Sequence, residues 1–162
     1  MYLRKQKNYA ALSARQRGVA IVEFTIVLPI LIVLILVVAE LGRAFLQFNA
    51  LTRAARDSAR FVAANALNGQ SQTIDVSSSA AVYSDAQHLV VFGHVGSSGT
   101  ALVPGLVPGD VTIANPAGTN DITVNVSYTY QPMLGAVIPG LFYATDLAAN
   151  FPLQAQVTMK VL

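Results

Sequence analysis

Arg17-Gly18-Val19-Ala20-Ile21-Val22-Glu23-Phe24, continued without a further charge to Ala39, is the stretch whose reading decides the fold of this chain. From Phe24 to Ala39 it runs FTIVLPILIVLILVVA. With Val19 to Val22 added, it reaches the roughly 20 residues that a helix needs to cross a bilayer. One acid, Glu23, sits just inside the run. A carboxylate in such a segment costs about 2.5–3.5 kcal/mol on insertion scales, which makes Glu23 a candidate functional residue. Upstream, Arg4, Lys5, Lys7, Arg15 and Arg17 carry positive charge with no acid among them. That flank orients the span with its N-terminus cytoplasmic and the following domain outside.

The rest of the 162 residues amounts to one small domain beside the membrane element. A chain that is 54% hydrophobic and 11% charged is too apolar for disorder. The formal charge of +2 is unevenly placed: residues 1–18 hold five basic groups, and the remainder sets five basic residues against all eight acids. The positive balance therefore belongs to the leading segment and does not describe a nucleic-acid-binding surface. Without cysteine, an extracytoplasmic domain must hold together without disulfides, and no cysteine metal site is available.

Outward from the span, one helix is expected from Val19 to about Ala66, apolar all round in its first half and amphipathic in its second. Phe45, Phe48, Leu51, Ala55, Ala59 and Val62 recur at helical spacing and read as its inner face. Arg43, Gln47, Arg53, Arg56, Asp57 and Arg60 fall mostly on other sides, and Arg53, Arg56 and Arg60 with Asp57 are spaced for i,i+3 and i,i+4 ion pairs. Pro29 is expected to kink or open the ladder, a possible hinge. Asn68-Gly69 reads as the helix end. Ala80 to Phe92 reads as a short second helix, with Val82, Tyr83, Ala86, Leu89 and Val90 on one face. Val103-Pro104-Gly105 and Val107-Pro108-Gly109 read as tandem turns. The period then changes to two: Val111 to Ala114, Ile122 to Tyr130 and Leu153 to Val161 read as strands. Between the last two lies a proline- and glycine-rich stretch with Leu141, Phe142 and Tyr143. The expected class is α+β, a long N-terminal spine helix covering a small antiparallel sheet.

Gly18 followed by Glu23-Phe24, with Leu28-Pro29, Glu40-Leu41-Gly42-Arg43-Ala44, Asn49-Ala50-Leu51-Thr52 and Ala54-Ala55-Arg56 through Arg60, resembles the TadE-like minor pilins (pseudopilins) of tight-adherence (Flp/Tad) type IV pili. The likeness covers about residues 17–62. It implies a prepilin cut between Gly18 and Val19 by a prepilin peptidase, with Glu23 and Phe24 in recognition and assembly. Glu23, fifth in the mature chain, would then meet the new ammonium of a neighbouring subunit. Arg53, Arg56 and Arg60 become possible subunit-docking residues. Implied partners are the peptidase, other minor pilins and the major pilin, and an inner-membrane platform with its cytoplasmic ATPase, all at the bacterial inner membrane. The implied parts are a leader at 1–18, a transmembrane half at 19–42, an amphipathic half at 43–67 and an extracytoplasmic domain at 68–162. Two other readings of the segment stay open. Val37-Val38-Ala39 offers a signal-peptide cut before Glu40 that would release a secreted binding domain, and an uncleaved span would leave an anchored adaptor.

Reactive constellations are sparse. His88 and His94, with Asp85 nearby, are six apart and match no familiar ligand spacing. Ser77-Ser78-Ser79 and Ser97-Ser98 lie in no nucleophile elbow. Gly93, Gly96 and Gly99 lack the phosphate-cradling pattern. Asn125-Val126-Ser127 is a sequon placed mid-strand. The expectation is a structural protein with no enzyme activity, cofactor or metal, and no nucleic-acid partner.

Overall fold

The structure, a computed structural model, describes residues 3–67, 74–77, 79–96, 98–116, 119–133 and 151–161, with side chains from Val19 onward. It is α+β: helix α1 (Leu3–Asn65), helix α2 (Ala81–Phe92), and strands β1 (Val111–Ala114), β2 (Asp121–Thr129) and β3 (Pro152–Lys160). By contacts the chain divides into two compact units, Met1–Leu41 and Gly42–Leu162.

In the first unit the helix begins at Leu3, well before the expected start at Val19. A single glycine at position 18 costs a helix only about 1 kcal/mol, so Gly18 does not break it. The helix also passes through Pro29. Pro29 has no N–H to give the Thr25 carbonyl one turn back. The Thr25 hydroxyl itself donates to the Ile21 carbonyl at 2.8 Å. From Val19 onward the side chains of this unit are exposed or nearly so, and the apolar stretch reaches a mean hydropathy of 3.1, long and apolar enough to cross a membrane.

In the second unit the remainder of α1 turns a face of small residues inward. Ala44, Gln47, Leu51, Ala54, Ala55, Ser58, Ala59 and Val62 are buried, at the three- and four-residue spacing of one helix side. This corrects the expected face at three positions: Gln47, expected on another side, is buried. Phe45 is 65% exposed and Phe48 38% exposed, because the core approaches α1 along the alanines instead. Small side chains let neighbouring backbone come close: the Ser58 hydroxyl donates to the Ala86 carbonyl of α2 at 3.1 Å inside the core. The helix ends at Asn65, before the expected Asn68-Gly69 stop, which lies outside the described residues.

Helix α2 buries Ala86, Val90 and Val91, with Val82, Tyr83 and Leu89 half-buried beside them. It stops at Gly93, whose φ of 78° suits glycine and whose N–H reaches back to the Leu89 carbonyl at 3.0 Å. The two Val-Pro-Gly repeats both make turns, closed by N–H bonds from Leu106 to the Val103 carbonyl and from Asp110 to the Val107 carbonyl. They differ in detail. Gly105 adopts a φ of 85°, whereas Pro108–Asp110 forms a short 3-10 turn that leads into β1.

The sheet is an antiparallel meander in the order β1-β2-β3. Val111 pairs with Val126, and Val124 sits between Ile113 and Val157. Ile122, Val124, Val126 and Tyr128 point into the core, as do Val111 and Ile113, while Thr112, Ser127 and Thr129 face out. The period-two alternation thus assigns the faces correctly. The stretch with Leu141, Phe142 and Tyr143 lies outside the described residues.

Candidate functional site

In the first unit, Val19, Val22, Glu23 and Ile26 line one side of α1, since residues three, four and seven apart stack on a helix. Gly18 lies within the helix backbone directly before them. Val19 and Phe24 are exposed, and so is Glu23. The arrangement is a carboxylate one turn beyond Val19, on the same side, with apolar side chains around it. Pro29 follows six residues later, on an exposed part of the same helix.

The second candidate group lies on α1 in the second unit. Arg53, Arg56 and Arg60 are all exposed, and Asp57 is exposed among them. Among the described residues the expected i,i+3 and i,i+4 ion pairs do not form: none of these four side chains has an ion-pair or hydrogen-bond partner there. Exposed pairs of this kind give only about 0.2–0.5 kcal/mol, which the entropy of holding two long side chains offsets. What remains is an unneutralised cationic strip.

The histidines are placed by packing. His88 is half-buried on α2 with its ring 5.9 Å from that of Phe92, and exposed His94 meets Phe92 edge-on at 6.3 Å. Among the described residues no three of His, Cys, Asp and Glu come together as a metal site. Among the described residues, the buried polar atoms Arg43 Nη1, Gln47 Oε1 and His88 Nδ1 lack a partner. The periodicity placed Gln47 off the inner face, and the structure corrects this: Gln47 is buried there, because an amide on an alanine-rich face carries no hydrophobic signal.

Two groups hold the loops that lead to the sheet. Gln87 donates from Nε2 to the Pro108 carbonyl at 2.8 Å and the Val111 carbonyl at 3.0 Å, tying α2 to the start of β1. The Tyr128 hydroxyl donates to the Pro104 carbonyl at 2.7 Å. Burial pushes the Tyr128 phenol above its ordinary value, against the lowering effect of a hydrogen bond with the Gln131 backbone and of nearby Arg43, and with Asp110 adding slightly to the rise. Asp75 is held below the ordinary carboxylate range by hydrogen bonds from the backbone and side chain of Ser77.

Residues 18–60 match the family model described as TadE-like protein, a segment that contains both candidate groups. No curated protein and no solved structure matches the chain.

Proposed function

This chain is TadE-like over residues 18–60, a likeness to a family of structural proteins associated with tight-adherence pili, and from that premise we propose that it is the precursor of a minor pilin. A prepilin peptidase cuts between Gly18 and Val19 and leaves the apolar helix on the mature protein. The chain then acts as a structural part of pilus assembly, anchored by that helix in the inner membrane with its α+β unit outside. Its partners are the peptidase, other minor pilins and the major pilin, and the membrane platform driven by its ATPase.

The observation that carries this reading is the placement of Glu23 on the Val19 side of an otherwise apolar, exposed helix. Before cleavage the Val19 nitrogen is a neutral amide. Cleavage turns it into an ammonium and removes the five cations of residues 1–18. Opposite charges at ~4 Å attract by roughly 4 kcal/mol at an effective dielectric near 20, before desolvation is subtracted. The ammonium of an adjacent subunit gives the acid a partner and lets the helix leave the bilayer inside a bundle. Pro29 serves as the hinge where helices adjust as they repack, and Arg53, Arg56 and Arg60 dock the unit outside the membrane.

Glu23→Gln and Glu23→Leu separate this role from a mere boundary glutamate. Both variants should insert and fold normally, Glu23→Leu at least as well as the wild type, and both should fail to assemble. Full piliation with either variant removes the charge from the account.

A further inference from the structure

The outward side of α1 in the second unit carries charge that the other described residues of the unit leave unanswered. Arg53, Arg56 and Arg60 are three and four residues apart, so their guanidiniums line up and repel one another. Asp57 lies among them without pairing to any. Toward the start of the unit the same side becomes apolar. Leu46, Arg53 and Arg60 are seven apart and fall nearly on one line along the helix, and Leu46 is 69% exposed with Phe45 beside it. The strip thus has an apolar end and a cationic end, about 21 Å apart along the axis from residue 46 to residue 60.

We propose that this strip docks the helix of a different pilin-like subunit, one that sets carboxylates at three- to four-residue spacing against Arg53, Arg56 and Arg60 and an apolar side chain against Phe45 and Leu46. The kind of partner rests on the pilus reading above; its chemistry rests on α1 alone. A second copy of this chain fits poorly. In register it would oppose each arginine with an arginine, and from Gly42 to Asn65 it has a single acid, Asp57, to give in return. Lipid headgroups fit no better. The arginines lie about 16 to 27 Å along the helix from Gly42, and attraction to an anionic surface is screened over about 8 Å. A helix with matching carboxylates removes the mutual repulsion of the arginines and covers Leu46 in the same contact.

The test uses the full chain in the cells that make it, with a photoreactive phenylalanine derivative in place of Asn49, between Leu46 and Arg53 on this side. Irradiation should give an adduct with another membrane-anchored, pilin-like protein, identified by mass spectrometry. Combined Arg53→Glu, Arg56→Glu and Arg60→Glu should lower that adduct about tenfold, since three exposed attractions become repulsions. Reversing the acids of the captured partner to lysine should restore it. Arg56→Glu alone serves if the triple variant loses its resistance to protease. An adduct to a second copy, an adduct to lipid, no adduct, or an adduct indifferent to arginine reversal each overturns the proposal. The N-terminus of the chain is read from the same cells. A chain cut at Gly18 that yields no such adduct defeats this surface alone, whereas the adduct on a chain that is never cut defeats the precursor reading and leaves the surface standing.

Discussion

Val124→Asp is the perturbation that probes the domain most sharply, because its neighbour in sequence supplies the control. Val124 lies at the centre of β2, fully buried, with Ile113 and Val157 across from it on the flanking strands. Removing the valine forfeits about 1.5–3 kcal/mol of burial. The incoming carboxyl avoids an unpaired buried charge by taking up a proton. At pH 7 that means raising its pKa by about three units, roughly 4 kcal/mol at 1.36 per unit. The total, about 6 kcal/mol, is comparable to the entire stability of a small domain, about 5–15 kcal/mol. Thr123→Asp introduces the same carboxyl one residue earlier, on the opposite face. There it loses the 3.0 Å hydroxyl contact with Thr158, worth about 1 kcal/mol. Pulse proteolysis of the full chain in neutral detergent, across a urea series, reads both. Val124→Asp should leave the domain cut without urea or nearly so, and Thr123→Asp should shift the midpoint only slightly. A reversed ranking, with Thr123→Asp the more damaging of the two, would refute the register, since a slip of one residue exchanges the faces.

Other outcomes follow from single groups. Gln87→Ala should cost roughly 2 kcal/mol in the same assay, because the Pro108 and Val111 carbonyls lose their shared donor. Gln87→Glu should be worse at neutral pH and recover part of the loss near pH 4, where the new carboxyl protonates and can donate again. Tyr128 keeps its proton more firmly folded than unfolded, so its contribution is complete below about pH 10, the unfolded value, and is lost as pH rises through the folded one. Tyr128→Phe should flatten that alkaline loss of stability while lowering stability at neutral pH through the missing bond to Pro104. His88→Ala and His94→Ala should leave piliation per folded molecule unchanged; a folded, abundant histidine variant without pili would reveal a binding role that packing against Phe92 does not explain.

The sheet was legible in the sequence because alternation fixes each side chain's face: Val111–Ala114 occurs with the expected bounds, and Ile122, Val124, Val126 and Tyr128 point inward as the period requires. The inner face of α1 was harder to read. Hydrophobic periodicity weights Phe45 and Phe48, but the core selects Ala44, Gln47, Ala54 and Ser58, whose small or neutral side chains permit close approach and score poorly on any hydrophobic scale. The helix start was missed because Gly18 is only a weak breaker. The arginine pairs with Asp57 failed because exposed pairs gain too little to order both side chains. Glu23 was visible at once, since a lone acid in an apolar run stands out whatever surrounds it. Its role depends on a cut and a partner, which sequence spacing suggests and the geometry of one chain does not supply.

The central claim is therefore tested most directly by the N-terminus of the protein isolated from cells that carry tight-adherence pili. Terminal sequencing with intact-mass measurement should give a chain that begins at Val19, lighter by the mass of residues 1–18, and Gly18→Arg should leave the uncut chain in the membrane. A wild-type chain that begins at Glu40, or one that retains residues 1–18, would contradict the account.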